Sequence, residues 1–191
     1  FSTETQNGCL TYATLAAQAL GAEPSMVAQS GINFVTVRNN NFVPYYEKTA
    51  QVIEKTGSAD PWDFAAHPQD VIVINLGTND NSASKDDEYL TSEAVNFLKL
   101  VRKNNPDSII IWAYGMMGDS RRAALEAAVN QVKTEGDNNV FYYNIPPMIT
   151  STEGVGLGHP TIQTHILRSI GLAEFIAEKT GWDWDISVAL Q

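Results

Sequence analysis

The chain has 191 residues, 43% of them hydrophobic, enough for one domain with a sizeable core. Its net charge of −10 argues against nucleic acid and anionic membranes, which need a basic patch, and suits neutral substrates. One cysteine, Cys9, excludes an intrachain disulfide, and no apolar run is long enough to span a membrane.

Residues 1–8 are polar and turn-like. Leu10, Ala13, Ala17 and Leu20 then recur at helical spacing, with Gly21 placed as a C-terminal cap. Residues 25–29 read as a short strand ending at Ser30-Gly31, and Asn33 to Pro44 as loop. Tyr45 to Lys55 reads as a helix closed by Gly57, followed by the loop Asp60-Pro61-Trp62-Asp63. Trp62 and Trp112 are open between core residue and sugar-stacking platform.

Val71 to Leu76 is a β-branched apolar run, the pattern of a strand buried on both faces of a parallel sheet. A polar turn, Gly77-Thr78-Asn79-Asp80, leaves its C-terminal end, where ligands bind in open α/β sheets. The helix that follows has Ser84 as expected N-cap, acids at 86–88, a stripe of Leu90, Ala94, Phe97 and Val101, and bases at Lys99, Arg102 and Lys103. A strand is expected at 108–113, a helix at 121–135 with Leu125, Ala128, Val129 and Val132 inward, and a strand at 140–143. Thr152 to Gly158 reads as a glycine-rich loop and Pro160 to Thr180 as the last helix, closed by Gly181 and weakened by Gly171. Strands alternating with helices across short links predict a three-layer α/β/α sandwich around a parallel sheet.

Three groups could carry chemistry. Asn79 offers an uncharged amide donor and Gly31 a backbone one, the donors an oxyanion hole uses; the bland alternative is a turn asparagine and a loop glycine. His159 leaves a glycine-rich loop just before Pro160 and could act as general base toward a hydroxyl. Asp80 reads as a structural anchor and His165 as a packing histidine, and His67 carries no signal. The three histidines lack zinc spacing, and there is no phosphate-cradling glycine loop with a lysine.

Gly77-Thr78-Asn79-Asp80 resembles the Gly-x-Asn-Asp block of the SGNH (GDSL-type) hydrolases. Gly158-His159-Pro160 resembles their last block, which carries the catalytic histidine, and Ser30-Gly31 their second, whose glycine amide donates to the oxyanion. The three occur in the family's order. Val27-Ala28-Gln29-Ser30-Gly31 and Gly158-His159-Pro160-Thr161 are most similar to carbohydrate esterase family 2, the acetyl-sugar deacetylases. The resemblance implies a secreted serine esterase that removes O-acetyl groups from plant polysaccharide, xylan or glucomannan, with no cofactor or metal. It implies His159 as the base and Gly31 and Asn79 as the oxyanion hole.

Two family features are displaced. The aspartate that usually stands three residues before the histidine is Gly156 here. Either Glu153 or a backbone carbonyl is then left to orient His159, as in a Ser-His dyad. The nucleophile's Gly-Asp-Ser block should precede the others, yet the Gly118-Asp119-Ser120 of this chain follows Gly77–Asp80 and suits the N-cap of the 121–135 helix. Ser120 is therefore the lesser candidate. The resemblance implies a serine upstream of Phe1, together with the family's first strand and a β-sandwich domain. The alternative reading is a catalytically inactive domain that binds carbohydrate without a nucleophile.

Overall fold

The computed structural model describes residues 7–35, 41–49, 59–80 and 86–190. In chain order these form α1 (Tyr12–Ala19), β1 (Val71–Ile74), α2 (Asp87–Asn104), β2 (Ile109–Gly115), α3 (Arg122–Thr134), β3 (Val140–Ile145), α4 (Thr150–Glu153), α5 (Ile162–Thr180) and α6 (Ile186–Ala189). The strands form a parallel sheet in the order β1-β2-β3, with Val71 opposite Ile109 and Ile74 opposite Trp112. This is the α/β architecture that the alternation of strands and helices predicts. The chain divides into two compact units: Phe1–Ala28, Gly115–Asp119 and Tyr143–Gln191 make the first, and Gln29–Tyr114 and Ser120–Tyr142 the second.

In the second unit, β2 reads Ile-Ile-Ile-Trp-Ala-Tyr and is buried from Ile110 onward, as expected of a central strand. Leu90, Ala94, Phe97 and Val101 of α2 pack with Leu125, Ala128, Val129 and Val132 of α3 in one core. Phe34 completes it, with its ring 5.1 Å from Trp112 and 5.5 Å from Phe97. Trp112 is thus a core residue, and its indole N–H donates to the Leu76 carbonyl at 3.2 Å. β1 is shorter than its apolar run and only half-buried over Val71–Val73, because among the described residues it lies at an edge of the sheet. α2 begins after Asp86, whose carboxylate accepts the Tyr89 N–H at 2.8 Å; Asp86, rather than Ser84, fills the cap position. Ser84 lies outside the described residues.

In the first unit, α1 packs on α5 and α6. Its buried residues are Thr14, Leu15, Ala16 and Ala19, not the stripe through Leu10, Ala13, Ala17 and Leu20. Alanines on several faces give periodicity little to choose between, so the neighbouring helices select the buried side. Gly21 closes α1 as expected: its N–H donates to Gln18 and that of Ala22 to Ala17. α5 runs unbroken through Gly171, against which the Tyr143 ring lies so closely that a Cβ would come within 2.5 Å of the phenol oxygen.

Three expected elements differ. Residues 25–29 form no strand and carry no regular secondary structure, and Val27 is 81% exposed. Two adjacent apolar residues, Met26 and Val27, offer no buried face to pair. Of the helix expected at 45–55, Tyr45 ends a single 3-10 turn (Val43–Tyr45), residues 46–49 are turn and bridge, and the rest lies outside the described residues. The loop expected at 152–158 is partly ordered into α4 and a two-residue hairpin.

Candidate active site

The turn after β1 is held by its own last residue. Asp80 is fully buried, and its carboxylate accepts the backbone N–H of Phe34 at 2.6 Å and of Val35 at 2.9 Å. One amide hydrogen of Asn79 is donated to the Ile32 carbonyl at 2.9 Å. Two segments far apart in sequence, 31–35 and 77–80, are thereby joined, and Gly31 (φ +71°) and Asn79 fall in the same loop cluster. Gly77 holds φ at +117°, and a Cβ there would meet Leu125 at 3.1 Å and Tyr114 at 3.3 Å. Both the backbone angle and the close approach call for glycine.

Arg121 completes this cluster. Its Nε donates to the Asp80 carbonyl at 2.7 Å, and its guanidinium pairs with Asp87 at 3.0 Å. The sequence analysis did not single it out, although a basic residue at a helix start opposes the helix dipole. That misplacement was the available signal. Arg121 also occupies the cap position of α3, with no side-chain capping bond, so neither Asp119 nor Ser120 caps the helix. Ser120 is exposed in the turn before it.

His159 belongs to the first unit. It is half-buried and ends a two-residue hairpin, exchanging backbone hydrogen bonds of 3.0 Å with Gly156 in both directions. The turn residues, Leu157 and Gly158, both have positive φ, +52° and +82°, the pattern of a type I′ turn. The hairpin's base is closed by the Thr161 hydroxyl, which donates to the Glu153 carbonyl at 2.6 Å.

Glu153 is committed elsewhere than to an imidazole. It is buried, and its two oxygens accept from Arg168 at 2.7 and 3.0 Å. Burial pushes its carboxyl up most strongly, but the hydrogen bonds to the carboxylate, Arg168's first among them, and the Arg168 charge together leave it below its ordinary value. Arg168 was also missed, although a signal exists. Thr164, Arg168, Leu172 and Ile176 follow each other at helical spacing on the buried side of α5, and an arginine in such a stripe demands a partner.

The remaining histidines are accounted for. His165 accepts the Tyr12 N–H at 3.2 Å on Nδ1 and lies parallel to the Tyr12 ring, as a packing histidine should. His67 stacks on Trp62 at 4.7 Å, and Trp62 is 38% exposed. Among the described residues no three His, Cys, Asp or Glu side chains group as they would around a metal ion.

These motifs, on a parallel α/β sheet, define a class, and comparison with known proteins agrees. The family model for GDSL-like lipase/acylhydrolase matches residues 2–184, and the chain belongs to that family. It is 31% identical, over 95% of its length, to cellulase/esterase CelE of Acetivibrio thermocellus, and covers 23% of that protein. Over 69% of the chain it is 27% identical to an acetylxylan esterase/glucomannan deacetylase of Cellvibrio japonicus, covering 38% of it. A family two carbohydrate esterase from Clostridium thermocellum, solved in complex with cellohexaose, superposes with a TM-score of 0.86 at 31% identity. That match covers 95% of this chain and 57% of the other. The chain therefore spans less than half the length of these two curated relatives.

Proposed function

We propose that this chain is the larger part of a carbohydrate esterase domain that removes O-acetyl groups from plant polysaccharide, xylan or glucomannan, outside the cell. The nucleophile is a serine upstream of Phe1, in a segment that also supplies a strand and carries a β-sandwich. Its hydroxyl oxygen bonds to the acetyl carbonyl carbon while His159 takes the proton. The carbonyl electron pair moves onto oxygen, where the Gly31 N–H and the second amide hydrogen of Asn79 stabilise it. Collapse expels the sugar alkoxide, which His159 reprotonates, and His159 then activates water to release acetate.

The observation that carries this reading is the set of bonds from Asn79 to Ile32 and from Asp80 to Phe34 and Val35. They join the two segments that the mechanism needs as one oxyanion hole, and preorganisation is what makes such donors effective. The edge position of β1 among the described residues, with Val71, Ile72 and Val73 half-exposed, supports a further strand beside it. The commitment of Glu153 to Arg168 supports a Ser-His dyad in which a backbone carbonyl holds the imidazole.

A second reading, a carbohydrate-binding domain without catalysis, is favoured by one observation: the chain's Gly118-Asp119-Ser120 follows the Gly77–Asp80 block and lies on an exposed turn. One experiment separates the two. In the protein with its upstream segment, His159→Ala should lower kcat/KM on an acetylated xylooligosaccharide by about 10³-fold or more, with circular dichroism unchanged. If the parent protein binds cellohexaose but releases no acetate from any acetylated oligosaccharide, the binding reading replaces the esterase.

A further inference from the structure

Between the end of β3 and the start of α5 the chain runs through two prolines, a one-turn helix, three glycines and a third proline, Pro160, before reaching Thr161. Little in that composition fixes where His159 comes to rest. One arginine ties the segment at several points. Arg168, on α5 and 7% exposed, donates from Nε to the Pro146 carbonyl at 2.8 Å and from one terminal nitrogen to the Pro147 carbonyl at 2.6 Å. The same nitrogen reaches both oxygens of Glu153. The carbonyl of Glu153 in turn accepts the Thr161 hydroxyl. The segment is therefore tied at its start, at its middle and at its end by α5 and the residue preceding it, beside one further bond from the Met148 N–H to the Met116 carbonyl at 3.0 Å.

We propose that Arg168 and Glu153 are positioning residues for His159, a clamp that sets the height and angle of the 156–159 hairpin. The inference rests on the reading of His159 as general base. The geometry distinguishes the clamp from a triad: the Glu153 carboxylate spends both oxygens on Arg168, so it acts on His159 through the backbone. A guanidinium is needed because the bonds diverge in a planar fork toward three residues, which a lysine's point charge does not reproduce. The ties matter for rate because a base must sit within hydrogen-bond reach of the hydroxyl it serves, and a misplacement near 1 Å costs on the order of 10²-fold.

The test uses the protein with its upstream segment and three variants, Arg168→Lys, Glu153→Gln and Thr161→Val, beside His159→Ala. For each, kcat and KM are measured on one acetylated xylooligosaccharide across pH, and the histidine side chains are followed by NMR with isotope-labelled histidine. In the folded variants kcat should fall about ten- to a hundredfold with KM within about twofold. The His159 imidazole signals should move or broaden, those of His67 should stay in place, and the acid limb of the pH–rate profile should keep its position. Wild-type kcat and His159 signals in folded variants overturn the clamp. A loss in Glu153→Gln equal to that of His159→Ala, with a displaced acid limb, makes Glu153 a triad acid and also overturns it. If the two charge variants do not fold, Thr161→Val decides, because it keeps the side chain's shape and removes only the tie to the Glu153 carbonyl. Unchanged kcat and His159 signals in that variant overturn the proposal. If His159→Ala retains activity, the role of His159 falls, while its imidazole signals in the other variants still decide the clamp.

Discussion

Leu157 has φ of +52° at a turn position that favours asparagine or glycine, and its side chain is 80% exposed. A left-handed backbone costs an L-residue about 1–2 kcal/mol, because Cβ crowds the following carbonyl oxygen. No buried contact offsets that at so exposed a residue. Leu157→Asn should raise stability by about 1 kcal/mol, read as a higher urea midpoint at unchanged m. An equal or lower midpoint would mean that Leu157 makes a compensating contact. The same residue scale explains Asp80: a buried carboxylate is tolerated because two backbone N–H groups and the surrounding fold satisfy it.

At the scale of elements, helix ends decide two outcomes. α3 follows Arg121 without a side-chain cap, because a guanidinium has no acceptor for the first N–H groups; its donors go to Asp80 and Asp87 instead. Ser120→Ala should then change stability by no more than about 0.5 kcal/mol, where loss of a true cap would cost about 1 kcal/mol. It should also leave acetate release by the longer protein intact; a loss of several orders of magnitude would make Ser120 the nucleophile. α1 is capped from a distance, since the Tyr12 N–H, unsatisfied within its own helix, is accepted by His165 of α5. Burial pushes the His165 imidazole below its ordinary value of 6.5. Protonation would remove the acceptor and set a cation at a helix N-terminus. The folded state thus binds this proton less readily than the unfolded chain does. The contact's contribution is fully present above the unfolded value of 6.5 and is lost as pH falls through the lowered folded value. Thermal unfolding of the wild type and of His165→Gln, whose amide oxygen accepts at any pH, should converge or cross as pH falls below 6.5. Parallel curves would remove His165 as the titrating group.

At the scale of the whole molecule, the proposed nucleophile lies outside the 191 residues. Residues 1–191 expressed alone should not hydrolyse p-nitrophenyl acetate above the level of a His159→Ala control. Addition of the upstream segment should restore turnover. Robust hydrolysis by the isolated chain, abolished by His159→Ala, would place the nucleophile within it and overturn the assignment. Membership of the GDSL-like lipase/acylhydrolase family and coverage of 57% of the solved family two esterase frame this expectation.

The sequence by itself determined what neighbours along the chain can decide. The β-branched runs gave β1 and β2, the buried stripes of α2 and α3 followed from helical spacing, and Gly21 and Gly181 marked two helix ends. The blocks around Gly31, Asn79 and His159 pointed to the family for the same reason, as short local patterns, and the roles of these residues belong to the proposal. Tertiary structure decided every choice of partner. Asp80 reaches a segment 46 positions away, and Glu153 takes Arg168, 15 positions on, in place of the histidine nearer to it in sequence. Local spacing carries no record of such pairings. Which polar groups meet depends on how buried faces pack, and a buried charge goes to the partner that the packing delivers.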